Sequence, residues 1–178
     1  HKDNFRLSTS RKFKKDLIEY FSDEKYRKMT MVELGACQGD TTRIFSKLFE
    51  KVYAVDRDEG NVKMLKQKFK DDDNVECSVM DVTNDTWEFP KAGVVFVDAS
   101  HDYPQVAIDI QKCIDYFDNP IIILDDYGNP NNRNIRNSID DKIREGKIKV
   151  DTKIGEDVGF LTKSGWKMID REGVICTT

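Results

Sequence analysis

The 178-residue chain carries 29 Lys and Arg against 33 Asp and Glu, a formal net charge of −4, with 38% hydrophobic and 35% charged residues. That length and balance fit one domain with a real core, and the mildly acidic total supplies no field that would draw the protein onto nucleic acid or an acidic membrane. No apolar run approaches the ~20 residues that span a bilayer, no signal peptide is visible in the polar N-terminus, and four cysteines without a C-x-x-C pair, beside only two histidines, exclude a zinc site of the usual spacing.

The chain opens on His1, which reads as a remnant or as the start of a fragment. Residues 1–27 are expected to form an N-terminal helical segment. Within it Phe13 to Phe21 has helical spacing, with Phe13, Leu17, Ile18 and Phe21 on one face. Arg11, Lys12, Lys14 and Lys15 read as a solvated face. A strand at Thr30–Leu34 runs into a turn, and a helix follows from Thr41 with Ile44, Phe45, Leu48 and Phe49 turned inward. Next come a strand at Val52–Val55, a helix over Glu59–Phe69 facing the sheet with Val62, Leu65 and Phe69, and a strand at Val75–Val79. A loop with Pro90 precedes the apolar strand Val94–Val97. A helix over Gln105–Phe117, a strand Ile121–Leu124 and a helix from Asn134 to Arg144, closed by Gly146, continue the alternation. The tail holds strand-like segments at Ile148–Ile154, Val158–Leu161 and Lys167–Cys176. Strands alternating with helices predict an α/β, Rossmann-like, doubly wound sheet that ends antiparallel, in a single domain over 1–178. Cys37, Cys77, Cys113 and Cys176 read as small core residues of a reduced, cytoplasmic compartment.

The turn carries the most information. Val32-Glu33-Leu34-Gly35-Ala36-Cys37-Gln38-Gly39-Asp40-Thr41 leads from an apolar strand into a helix, and the next strand ends on Asp56, 21 residues after Gly35. Glycine suits a backbone that passes close to a ligand or takes a positive φ. A dinucleotide fingerprint needs G-x-G-x-x-G, but from Gly35 those positions hold Gly35, Cys37 and Asp40. Two glycines are missing, and Asp40 would face a diphosphate, which argues against NAD or FAD.

The turn resembles motif I of class I S-adenosylmethionine (SAM) methyltransferases, E/D-x-G-x-G-x-G, here Glu33, Gly35, Cys37 and Gly39. Cys37 stands in place of the family's middle glycine. The resemblance spans residues 28 to 178 and implies a seven-stranded sheet whose last strand is antiparallel. It also implies SAM as cofactor, held by Glu33, Gly35, Ala36, Cys37, Gly39, Thr41, Asp56, Arg57, Asp81, Val82 and Asp98. Acidic residues near the turn suit the sulfonium and ammonium of SAM, and Asp56 is placed to accept the ribose hydroxyls. Asp81 is either an adenine contact or a turn-closing cap.

Val97-Asp98-Ala99-Ser100-His101 after the fourth strand and Leu124-Asp125-Asp126 after the fifth resemble small-molecule O-methyltransferases of the macrocin and sugar branch. The resemblance implies a divalent metal, such as Mg2+, on Asp98, Asp125 and Asp126, with Asp98 also serving the catalytic centre. Ser100 replaces the second Asp of the Asp-x-Asp that many of these enzymes carry. A metal that binds the acceptor oxygen lowers its pKa, and His101 is the candidate base. The expected reaction is methyl transfer to a hydroxyl of a small polar acceptor, a sugar among the candidates. Nucleic acid and membrane are not expected partners, and a homo-oligomer is one. Two alternatives stay open: a non-catalytic SAM-binding domain and a nicotinamide-dependent oxidoreductase.

Overall fold

Short apolar runs become the inner strands of one sheet. In the computed structural model, which describes residues 9–161, 164–165 and 167–178, β1 is Thr30–Leu34, β2 Lys51–Asp56, β3 Val75–Val79, β4 Val94–Val97 and β5 Ile121–Leu124. These five pair in parallel. The last strand, β7 (Lys167–Thr177), enters antiparallel between β5 and β6 (Lys149–Leu161), giving the order β3-β2-β1-β4-β5-β7-β6. β4 buries all its side chains because helices cover both faces.

Helices α1 (Arg11–Tyr20), α2 (Glu24–Arg27), α3 (Thr42–Leu48) and α4 (Glu59–Lys68) cover one face. Phe13, Leu17, Phe45 and Phe49 pack there on Met31, Val52 and Phe96, while Val62, Leu65 and Phe69 pack on Ala54 and Cys77. Helices α5 (Gln105–Tyr116) and α6 (Arg133–Arg144) cover the other face, with Val106, Ile110, Ile135 and Ile139 against Val32, Val95 and Ile122. Side-chain caps start three helices: Ser10 accepts from Phe13 N in α1, Asp23 from Lys25 N in α2, and Asp58 from Asn61 N in α4. The class I methyltransferase architecture is therefore present, seven strands with an antiparallel last one. Among the described residues no helix is long and apolar enough to cross a membrane.

The structure corrects the sequence reading in places. Ile18 is 46% exposed instead of facing the core. The buried stripe of α1 and its cap is the i, i+4 row Phe13, Leu17 and Phe21, and Ile18 lies about 100° off it. The short helix α2 falls inside the segment 1–27 expected to be helical, but was not singled out there. The tail segments at 148–154 and 158–161 are one strand, β6, broken in register between Ile154 and Asp157. Gly155, at φ +89°, makes this bulge. It brings Glu156 and Val158 to the cavity described next.

Candidate functional site

Parallel strands deliver their last residues to one edge, and the order reverses between β1 and β4, so a crevice opens there. A cavity of ≈ 1290 Å³ occupies this edge and runs from the Met80–Asn84 loop, past the β1 and β2 turns, to the loop after β5 and the wall of β6 and β7. Of the residues expected to bind cofactor, Gly35, Cys37, Asp56, Arg57, Asp81, Val82 and Asp98 line it. Glu33, Ala36, Gly39 and Thr41 do not line it. Asp125, Asp126 and His101 line its other half.

The glycines are demanded by the protein as much as by a ligand. Gly35 sits at φ +93°, and a Cβ there would lie 2.2 Å from the Asp98 carbonyl oxygen. The β1 and β4 turns thus touch backbone to backbone. Gly39, at φ +74°, faces Leu65 and Phe69 of α4. Cys37 takes φ +46°, the left-handed conformation that its glycine counterpart would adopt freely. Its N–H donates to Asp56 Oδ2 at 2.8 Å. Asp56 Oδ1 accepts from Asp58 N at 2.9 Å and Asn61 Nδ2 at 3.3 Å, so the carboxylate is aimed and keeps acceptor capacity.

Glu33 lies on the opposite side of β1, only 1% exposed, and accepts from Thr42 Oγ1 at 2.5 Å. Burial pushes its carboxyl up to about 8. At neutral pH it is protonated, so it ties α3 to β1 and lends no negative charge to the cavity. A carboxyl that rises on folding stabilises the protein fully below its unfolded value, and that stability is lost as pH rises through the folded one. Glu33→Gln should therefore flatten the fall in melting temperature between about pH 4.5 and 8, read by thermal melts across that window. A fall as steep in the variant as in the parent would refute this.

Asp81 caps its own loop. Its Oδ1 accepts from Thr83 N at 3.2 Å and Asn84 N at 3.1 Å, and Oδ2 accepts from Asn84 Nδ2 at 2.9 Å. The Asn84 side chain and the two backbone N–H groups hold its pKa below the usual carboxylate range. The turn-closing reading is thus present in the structure, and Asp81 lines the cavity as well.

The other half is a carboxylate cluster. His101 Nε2 is 3.0 Å from Asp126 Oδ2 and 3.7 Å from Asp98 Oδ1. Donor atoms of Asp98, His101 and Asp126 all lie within 4.8 Å of one another. Asp126, at φ +58°, also accepts from Asn129 Nδ2 at 2.9 Å and Asn132 Nδ2 at 2.7 Å. These donors lower its pKa, while the bond to Asp126 raises that of His101. Asp125 stands outside that trio and is 9% exposed, with Oδ1 buried and unpartnered. Burial raises the pKa values of both Asp98 and Asp125, helped by a neighbouring carboxylate in each case, Asp126 beside Asp98 and Asp98 beside Asp125.

Asn129, Asn132, Glu156 and Glu172 were not anticipated as site residues. Glu172 lines the cavity and accepts from Glu156 N at 3.0 Å and Ser10 N at 2.8 Å, and from the Ser10 hydroxyl. The asparagines follow Asp126 at three and six residues, a spacing that in sequence reads only as a turn.

The chain was compared with known proteins. A search of curated sequences finds no match. Solved structures share the fold. The precorrin-8w decarboxylase of Methanobacterium thermoautotrophicum superposes with TM-score 0.68 at 16% identity, over 96% of this chain and 90% of that one. The precorrin-6y C5,15-methyltransferase of Geobacter metallireducens gives 0.66 at 14% identity, over 99% and 95%. An rRNA methylase from Streptococcus thermophilus gives 0.59 at 14%, over 96% and 97%. At these identities the likeness concerns the fold. A family profile described as "Methyltransferase domain" matches residues 32–127, from β1 through the turn after β5, and so takes in the cavity lining from Gly35 to Asp126 but not the wall of β6 and β7. The chain belongs to this methyltransferase-domain family, of the class I, SAM-dependent type.

Proposed function

We propose that the protein transfers the methyl group of SAM to a hydroxyl of a small polar acceptor, a sugar hydroxyl foremost, with assistance from a divalent metal. One observation carries this reading: an Asp126-held imidazole stands in the same cavity as the Cys37–Asp56 turn. The ≈ 1290 Å³ of that cavity exceeds the roughly 300–1,000 Å³ of single-ligand pockets, which leaves room for cofactor and acceptor side by side. The cofactor end fits SAM through the aimed Asp56 and the absence of a diphosphate cradle. SAM supplies an electrophilic methyl group, and the chain's task is to present an oxygen nucleophile in line with it.

Asp126 only accepts, so the bond at 3.0 Å comes from His101 Nε2–H. Nδ1 is then left to take the hydroxyl proton. Asn129 and Asn132 hold Asp126, and Asp126 fixes the imidazole, as the third group orients the base in catalytic triads. The donor set of Asp98 and Asp126, with the unpartnered Oδ1 of Asp125 behind them, fits an oxygen-seeking cation such as Mg2+ or Mn2+. Bound there, such an ion would lower the pKa of the acceptor hydroxyl.

The half of the cavity around His101 favours a neutral or cationic molecule over a phosphate-rich one. Asp125, Asp126, Glu156 and Glu172 line the cavity there, and among the described residues Arg57, after β2, is the one Lys or Arg in its lining. Like charges facing a polyanion would cost affinity, so RNA is the disfavoured acceptor.

Calorimetric titration of SAM, repeated with Mg2+ and then with EDTA, tests the proposal. SAM binding in the micromolar range with a Mg2+ heat that Asp98→Ala removes supports it. Absence of SAM binding overturns it, and SAM binding with no metal heat removes the metal from it.

Cys37 offers a second check. It is the one cysteine that is not buried and it lines the cavity, whereas burial pushes the Cys77 thiol up to about 11 and that of Cys176 to about 12. N-ethylmaleimide at pH 8.5 should label Cys37 first, slowly, because burial raises its pKa too. S-adenosylhomocysteine at 100 times its Kd should slow that labelling about 100-fold, as read by mass spectrometry of the peptides. Unchanged labelling would place the cofactor elsewhere.

A further inference from the structure

Two polar residues of α5 have no part in the chemistry above. Asp109 is fully buried among Val106, Ile110 and Cys113. A carboxylate there is costly, and an apolar side chain would fill the place more cheaply. Its Oδ1 accepts from Thr83 Oγ1 at 2.8 Å, and its Oδ2 has no partner. One turn on, Lys112 Nζ donates to three carbonyls of the same loop: Val82 at 2.6 Å, Thr83 at 3.3 Å and Asp85 at 3.0 Å. The Lys112 ammonium also sits 4.7 Å from the Trp87 ring centroid, and Trp87 Nε1 donates to the Val82 carbonyl at 2.9 Å.

The loop so held is the one that carries Asp81. The bonds of Asp81 run to Thr83 and Asn84, and the Asp85 carboxylate returns to Asp81 N at 2.8 Å. Thr83, which lines the cavity, is therefore gripped by Asp81 on one side and by Asp109 and Lys112 on the other. A loop without secondary structure keeps one conformation only if such bonds offset its entropy. Three of them converge on Lys112, and the single bond of the costly Asp109 goes to a residue of the cavity wall.

We propose that Asp109 and Lys112 are positioning residues for cofactor recognition: they hold the Asp81–Asp85 loop so that the Asp81 carboxylate meets the exocyclic amino group of adenine. The inference rests on the reading that SAM occupies this cavity with its adenine at Asp81. A carboxylate accepts from the amino group and repels the oxo group of an inosine ring.

The test compares S-adenosylhomocysteine with S-inosylhomocysteine by calorimetry. The parent protein should prefer the adenosyl compound by about tenfold or more, the worth of one hydrogen bond to a charged group. Lys112→Met, which keeps the stem over Trp87, and Asp109→Ala should each cut that preference to about threefold or less, with the kinetic loss falling on KM for SAM more than on kcat. Asp109→Asn keeps an oxygen for Thr83 and should restore the preference. If Asp109→Ala does not fold, Lys112→Met carries the test. Folded variants that keep the full preference of the parent overturn the inference. A parent that binds S-adenosylhomocysteine without preference overturns the adenine reading, and this inference with it.

Discussion

His101→Ala will lower kcat by about 10³, within the range that a positioned base contributes, and Asp126→Ala will lower it further, because it also removes a metal ligand. The double variant will lose little more than Asp126→Ala alone, because the two residues act as a unit and such units are not additive. The geometry behind this is the 3.0 Å contact between His101 Nε2 and Asp126 Oδ2, with Asn129 and Asn132 fixing the carboxylate from behind. Metal binding separates the two roles. Asp126→Ala should abolish the Mg2+ heat, whereas His101→Ala should retain it. Steady-state kinetics on the four proteins, with the methyl acceptor saturating, checks the cycle. Losses that multiply would show two independent residues and not a dyad.

Gly35→Ala will cost about 3 kcal/mol or more of stability and abolish SAM binding. The added Cβ would stand 2.2 Å from the Asp98 oxygen, 2.6 Å from its carbon and 2.7 Å from Ala99 Cα. All three are backbone atoms at the end of a fully buried strand, so none can yield as a flexible side chain would. Gly146 is the control. It also has a positive φ, +69°, but nothing lies within 4 Å of a Cβ built there. Gly146→Ala should cost only the left-handed backbone penalty of about 1–2 kcal/mol. Urea denaturation of both variants checks the contrast. Equal costs would mean that conformation alone, and not the contact of the two turns, requires Gly35.

The inner strands were legible because each is an apolar run bounded by turn residues. β1, β3, β4 and β5 fall where the sequence puts them. β6 was read as two pieces because Gly155-Glu156-Asp157 looks like a turn, and only pairing with β7 shows it to be a bulge. The acidic pair after β5 and Asp98 after β4 were legible because such loops share one sheet edge. The direction of a side chain was not. Glu33 reads as a cofactor ligand in the motif, yet it points beneath β1 toward Thr42. Glu156 and Glu172 reach the cavity through a bulge and an antiparallel strand, and no local pattern announces either. Asp109 and Lys112 read as ordinary residues of an amphipathic helix, because their hydrogen-bond partners lie 26 or more residues away in the chain.

The place of β7 has a consequence for biosynthesis. Of the seven strands, β1 to β3 leave the ribosome first, and β4 and β5 follow them. The far wall of the cavity has to wait, because its Glu172 arrives on the strand translated last of the seven, and that strand must lie between β5 and β6. Among the described residues β6 pairs with no strand but β7. A nascent chain halted before residue 167 therefore presents β5 as a bare edge, with β6 left outside the sheet. Of the seven strands, the one that completes the cavity is the last to be made.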